Sequence, residues 1–437
     1  MSSYALRAGQ SLKGGLSSAL AAGAVLSSTV AVVVAPQAAL IVAAAVGGLG
    51  LVVVGAWPPL LALLYVRMYG DVSGSLGRYA DFALGAIAVA VVVLAVTVPL
   101  RDRGRGALVA VYALLALSVA YAAFSFGDAS GFAREWLRLA SVAAIGVLAV
   151  SAAQKVGSIE RALRIAVAAA VIPALVALAQ FAGVGQLAAG ARAFGTFSHP
   201  NAAGALFAFA LLIAVGLALR SRRRLDWMLV ALFCSAVFST RSLGALAASV
   251  IGVWALTHFR LTGARRGLLL AGIAGAVMVF ALTPIGAERI SQLESTRSYS
   301  AAAQGDVSNS LDWRFLNWHL ELGVWRDHPV FGTGVGTTRQ FVQPLQTLPH
   351  NEYVRVLVEG GVVGALIVGL AVVVLVRTVR RRTSSSLAGS LGRALLLAAG
   401  VDALVDNLFN YTAAMYLAAV AIGLVLGSSR AEEVAEP

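Results

Sequence analysis

One histidine and three arginines are set where they could handle a proton and a charged leaving group. His350 lies in Pro349-His350-Asn351-Glu352-Tyr353, where the chain passes from a polar stretch into an apolar one. A neutral imidazole there can take a proton from a hydroxyl, because its ordinary pKa lies near working pH. The same spacing also fits an interfacial histidine hydrogen-bonded to a loop carbonyl. Arg241, in Ser239-Thr240-Arg241-Ser242, stands alone between two short apolar runs, where a snorkelling anchor is the plainer reading. Arg192 precedes Phe194-Gly195-Thr196-Phe197-Ser198-His199-Pro200-Asn201, and Arg314 falls in the first turns of an amphipathic segment. Taken together these cations would suit a pyrophosphate, since guanidinium groups make paired hydrogen bonds to phosphate oxygens and keep their charge in a low dielectric.

The chain that must position them is a membrane chain. Hydrophobic residues make up 59% of the 437 positions and charged residues 12%, and the mean hydropathy is +0.85. That is more apolar surface than a soluble core buries. Apolar runs of about 20 residues recur without the alternation of a barrel, so the expected fold is all-α, a polytopic transmembrane helical bundle. Expected spans are 15–35, 38–55, 57–69, 81–100, 107–125, 132–152, 162–183, 200–219, 226–240, 243–259, 266–284, 351–376, 386–405 and 411–427, with the first retained rather than cleaved as a signal peptide. Residues 1–284 and 351–437 then form two transmembrane regions of one membrane domain, with 285–350 a large external loop between them.

The net charge of +13 sits in short arginine clusters between spans, at Arg101 to Arg105, Arg220 to Arg224, Arg260 to Arg266 and Arg377 to Arg382. If all are cytoplasmic, the spans alternate without contradiction and 184–199 and 285–350 are both external. Parity requires an odd number of crossings before the loop, which gives 12 or 14 in total. Such clusters are topological signals and give no reason to expect nucleic-acid binding.

Within the loop, Leu311, Phe315, Trp318, Leu322 and Trp325 recur at steps of four and three and predict one amphipathic helix with an aromatic stripe. His328-Pro329 and the Gly332, Gly334, Gly336 series end it and give a closely approachable backbone. Arg355 and Glu359, four apart, share a helix face and are expected to pair. Asp402 and Asp406 have the same spacing and could form a proton path, the feature that favours a transporter. Gly332 to Gly336 lacks the strand and the lysine of a phosphate loop, and no zinc motif, carboxylate cluster or nucleophile elbow occurs. A metal-independent reaction without a cofactor is the simpler inference, and the lone Cys234 allows no internal disulfide.

From Arg192 to Gly364 these residues resemble the O-antigen ligase and polysaccharide polymerase family of integral membrane glycosyltransferases. The likeness is carried by Arg192 through Asn201, Thr240-Arg241-Ser242, Arg314 through the Pro329 and glycine segment, and His350-Asn351-Glu352-Tyr353 with Glu359-Gly360-Gly361. The family often has Ser-Arg-Gly-Ala where this chain has Thr240-Arg241-Ser242-Leu243-Gly244-Ala245. The resemblance implies transfer of a glycan from a polyprenyl (undecaprenyl) pyrophosphate carrier to an acceptor hydroxyl at the external face of the bacterial cytoplasmic membrane, with membrane lipids around it. It implies His350 as general base, Arg241 and Arg314 as the pyrophosphate clamp, and Arg192, His199, Asn201, Asn351, Tyr353 and Glu359 as substrate contacts. In-line attack would invert the anomeric carbon. Ligase and repeat-unit polymerase share this chemistry and differ in the acceptor; a bicarbonate-like anion transporter is the alternative of another class.

Overall fold

The computed structural model describes residues 64–65, 67–68, 129–153, 158–184, 192–261, 263–338, 347–381 and 386–428. The expected spans before residue 126 therefore lie outside the described residues, apart from the four at 64–68. Among the described residues the regular structure is helical: α1 (Ala129–Ala153), α2 (Ile159–Ala168), α3 (Val171–Phe181), α4 (Pro200–Ser221), α5 (Arg224–Thr240), α6 (Leu243–Arg260), α7 (Gly263–Leu282), α8 (Pro284–Glu294), α9 (Tyr299–Ala303), α10 (Ser310–Asp327), α11 (Glu352–Arg380), α12 (Leu387–Val405), a 3-10 turn (Leu408–Asn410) and α13 (Thr412–Gly427). Six stretches are long and apolar enough to cross a membrane: Glu135–Ala153, Ile159–Phe181, Pro200–Ser221, Leu243–Arg260, Glu352–Arg380 and Leu387–Val405. The fold is the all-α polytopic bundle read from hydropathy, and the expected spans from 132 onward each coincide with a helix or, at 162–183, with the broken pair α2 and α3.

Local chemistry sets the boundaries. Pro200 opens α4 with His199 as its N-cap, Ser242 caps α6 through the Ala245 N–H, and Asn351 caps α11 through the N–H groups of Tyr353 and Val354. α4 is the central helix, buried from Asn201 to Ala218, with α5 and α6 packed on it and α12 on α6. The α13–α1 contact is very close. A Cβ on Gly423 would sit 2.4 Å from the Gly146 carbonyl oxygen, and one on Gly427 2.4 Å from that of Val150, so this four-residue glycine step lets two backbones touch.

α11 is broken at Gly361, whose φ of 59° and ψ of −163° are not helical. The segment after α10 closes the break. Val362 N–H donates to the Pro329 carbonyl and Val363 N–H to that of Val330, while Thr333 and Gly334 N–H groups donate to the carbonyls of Val358 and Glu359. Backbone groups freed by the break are thus satisfied by protein, as lipid requires. The close approach expected of the glycine series is real, and its partner is this helix: a Cβ on Gly332 would lie 2.5 Å from the Gly361 nitrogen.

α10 is the helix that the periodicity predicts. Its buried residues are Asp312, Asn317 and Glu321, and the aromatic stripe stays partly exposed. The polar face packs against the 348–350 segment and α11, while the aromatic stripe meets Tyr299 of α9 through Phe315 and the Pro349 carbonyl through Trp318.

A candidate active site at the helix ends

The site is assembled where helix ends meet. His350 sits just before α11 in a left-handed conformation, φ 52°. Its backbone N–H donates to Asn407 Oδ1 at 2.8 Å, and its ring Nδ1 lies 3.0 Å from Asp406 Oδ1, just past the end of α12. Burial works against the ionised form of Asp406. Hydrogen bonds from His350, Tyr411 and the Asn407 N–H outweigh it and hold this carboxyl below the usual carboxylate range. An ionised carboxylate only accepts, so Nδ1 carries the proton and, in the neutral imidazole, Nε2 is left with its lone pair. Trp313 of α10 presses on the same ring edge to face, with centroids 5.7 Å apart.

Arg241 occupies the two-residue joint between α5 and α6 with Ser242, and is also left-handed at φ 52°. A non-glycine residue pays conformational strain there, which surrounding contacts must hold in place. Its guanidinium lies over the Phe181 ring at 5.9 Å, and its buried Nε has no hydrogen-bond partner among the described residues. Arg192 fixes the joint: Nε donates to the Thr240 carbonyl at 3.0 Å, Nη2 donates to Asn201 Oδ1, and the Ala193 N–H reaches the Ser239 carbonyl. The joint abuts α12, since a Cβ on Gly244 would be 3.3 Å from Asp402 Oδ1.

His199 caps α4 through Nδ1, which accepts from the Asn201 N–H at 3.1 Å. Burial holds its imidazole below the ordinary value, with Asp406 opposing and Arg192, His350 and Arg314 reinforcing that effect. Four expected participants therefore act on one another electrostatically, and Arg314 also acts on Tyr411. His350, Arg314, His199, Arg192 and Asn201 are gathered at one end of the bundle, with the Arg241 joint beside them.

Three other expected contacts are engaged in the fold. Asn351 spends its side-chain oxygen capping α11. Tyr353 is 56% exposed and bridges to α12 by donating to the Gly400 carbonyl. Glu359 accepts from Thr338 at 2.6 Å and pairs with Arg355 at 3.1 Å, as the helical spacing predicts. Arg355 also meets Glu135 of α1 at 3.0 Å and Asn410 at 2.8 Å. These contacts, with Glu352 accepting from the Phe409 N–H at 2.7 Å, brace the 406–411 segment that holds His350.

Asp406 and Asn407 were not legible as partners of His350, nor Tyr411 as a partner of Asp406. The available signal was a carboxylate at the end of an apolar span, an expensive placement that marks function, but its spacing to Asp402 pointed along α12 and not across to α11.

Residues 227–369 match the family model described as O-antigen ligase. The match runs from α5 into α11 and takes in Arg241, Arg314 and His350, so this part of the chain is similar to the family its motifs resemble. No curated protein matches the chain.

Proposed function

We propose that this chain belongs to the O-antigen ligase family and is a membrane glycosyltransferase that moves a glycan from a polyprenyl pyrophosphate carrier to an acceptor hydroxyl. The observation that carries the reading is the His350–Asp406 contact, which leaves Nε2 free to act as a base, with His350 and Arg314 both acting on His199 at the same end of the bundle.

In this reaction the acceptor hydroxyl gives its proton to His350 Nε2 as its oxygen forms a bond to the anomeric carbon. The bond from that carbon to the diphosphate oxygen breaks, and the carrier leaves as the diphosphate. Asp406 stabilises the imidazolium that results. Arg241 and Arg314 neutralise the charge building on the leaving group, a contribution on the order of 3 to 4 kcal/mol for each well-placed donor. Arg192 acts through the joint it fixes, and His199 and Asn201 line the same end. Attack opposite the leaving group inverts the anomeric carbon. Base assistance contributes about a hundredfold to ten-thousandfold in rate.

The ligase reading is preferred to the polymerase because the long connection is compact: α9 and α10 pack on each other and α10 on α11, leaving the donor end of the bundle closely covered. Purified protein given a polyprenyl-linked glycan and separate acceptors distinguishes them. Transfer to a different lipid is the ligase result, and a growing carrier-linked ladder is the polymerase result. A His350→Ala protein that is well folded and transfers glycan at the parent rate would reject both. The transporter alternative used Asp402 and Asp406 as a proton path; Asp406 is instead engaged by His350, Tyr411 and Asn407.

A further inference from the structure

The buried face of α10 has three polar residues in three different states. Asp312 accepts hydrogen bonds from the Arg297 N–H at 2.8 Å and the Ser308 N–H at 2.9 Å. Asn317 donates to the Leu348 carbonyl at 3.0 Å, beside Trp318, which donates to the Pro349 carbonyl at 2.6 Å. One turn further along, Glu321 is fully buried and neither carboxyl oxygen has a hydrogen-bond partner.

What faces Glu321 explains why a carboxylate would not settle there. From α11 it meets the charges of Glu359 and Arg355. Arg355 is already in contact with Glu135, Glu352 and Glu359, and Arg138 with Glu135. That cluster therefore holds three glutamates against two arginines before Glu321 is counted. From the 333–338 segment, the Thr338 hydroxyl donates a hydrogen bond to Glu359. From α9, Tyr299 lies against Phe315 and His319 on another side of α10. Among the described residues no cation besides Arg355 acts on Glu321, and burying an unpaired charge is costly.

We propose that Glu321 is a positioning residue that works as a neutral acid: its protonation lets α10 seat on α11, and seated α10 holds Arg314 and the backbone of His350 in register. The link is physical, because α10 carries Arg314, packs Trp313 on the His350 ring and ties down the two carbonyls immediately before His350. The inference rests on the roles given above to His350 and Arg314.

Seating takes up one proton, which fixes the sign of its pH dependence. Burial, with Glu359 adding and Arg355 opposing, pushes the Glu321 carboxyl from 4.5 up to about 9. The seated state therefore binds the proton more tightly than the unseated one. Seating is strongest below pH 4.5 and weakens as pH rises towards 9, by up to about tenfold per pH unit. Acidity on the side of the membrane that α10 faces would tighten the site.

Hydrogen exchange of the full chain in lipid nanodiscs between pH 6 and 9 tests this without any substrate. After correction for intrinsic exchange, opening of residues 311–325 in the parent protein is expected to rise by up to about tenfold per pH unit, while residues 200–221 stay unchanged. Glu321→Gln, neutral at every pH, is expected to flatten the profile. Glu321→Met, of similar length, is expected to behave likewise and serves if the amide disturbs folding. A flat parent profile, or an equally steep one in these variants, overturns the proposal. Because exchange needs no glycan, failure of the transfer assay alone would count against the proposed reaction and leave this result standing.

Discussion

His350 and Arg241 share a backbone state that ordinary side chains avoid, and hydrogen bonds from neighbours meet the backbone at each. Asn407 grips the His350 N–H and Arg192 grips the Thr240 carbonyl. Strain kept at two positions by dedicated contacts is better explained by what those side chains do than by packing. Asp406 sharpens the point, since it sets the His350 tautomer. Asp406→Asn keeps the shape, but an amide neither compels Nδ1 to carry the proton nor stabilises an imidazolium. The variant is expected to lose about a hundredfold to ten-thousandfold in kcat while donor KM moves by less than about threefold. Steady-state kinetics on purified protein decides it, and a kcat within about threefold of the parent would remove Asp406 from the reaction.

Elements were legible to the extent that a local rule fixes them. The apolar runs of α4, α6, α11 and α12 and the caps at Ser242 and Asn351 follow from hydropathy and capping. The face of α10 did not follow, because its periodicity reports where apolar residues lie and not which neighbour the helix meets; its partners, the 348–350 segment and α11, are themselves polar. The break in α11 was equally hidden. Gly360-Gly361 reads as a weak spot in a helix, and only the 329–334 segment docked across it shows what the glycines admit. Gly361→Ala places a methyl group 2.3 Å from the Val330 carbonyl oxygen at a positive φ. Stitching of the break should fail at a cost of at least about 2 kcal/mol. The expected signs are a lower Tm and new protease cleavage within 329–334, and an unchanged Tm with intact resistance would mean that the segment is not held by this helix.

At the scale of the whole molecule, chain direction sorts charge from chemistry. α4 runs from His199 to the arginines at 220–224, α5 returns to Arg241, α6 departs from Ser242 towards Arg260, and α11 leads from His350 to Arg377 and Arg380. Because these helices pack in sequence on α4 and on α12, the basic clusters fall at one end of the bundle and the site residues at the other. The alternation inferred from arginine clusters alone is thus reproduced by packing, which owes nothing to the charges themselves. Asp226 shows how the basic end is built, fully buried with its carboxylate bound to Arg164 at 3.0 Å. Arginine-rich ends stay cytoplasmic, so the site should open to the exterior. In a Cys234→Ser background, Asp327→Cys and Arg223→Cys place single thiols at exposed positions of opposite ends. An impermeant maleimide applied to intact cells is expected to label Asp327→Cys and to reach Arg223→Cys only after permeabilisation. The reverse pattern would put His350 in the cytoplasm, where a carrier-linked glycan displayed on the outer leaflet could not reach it.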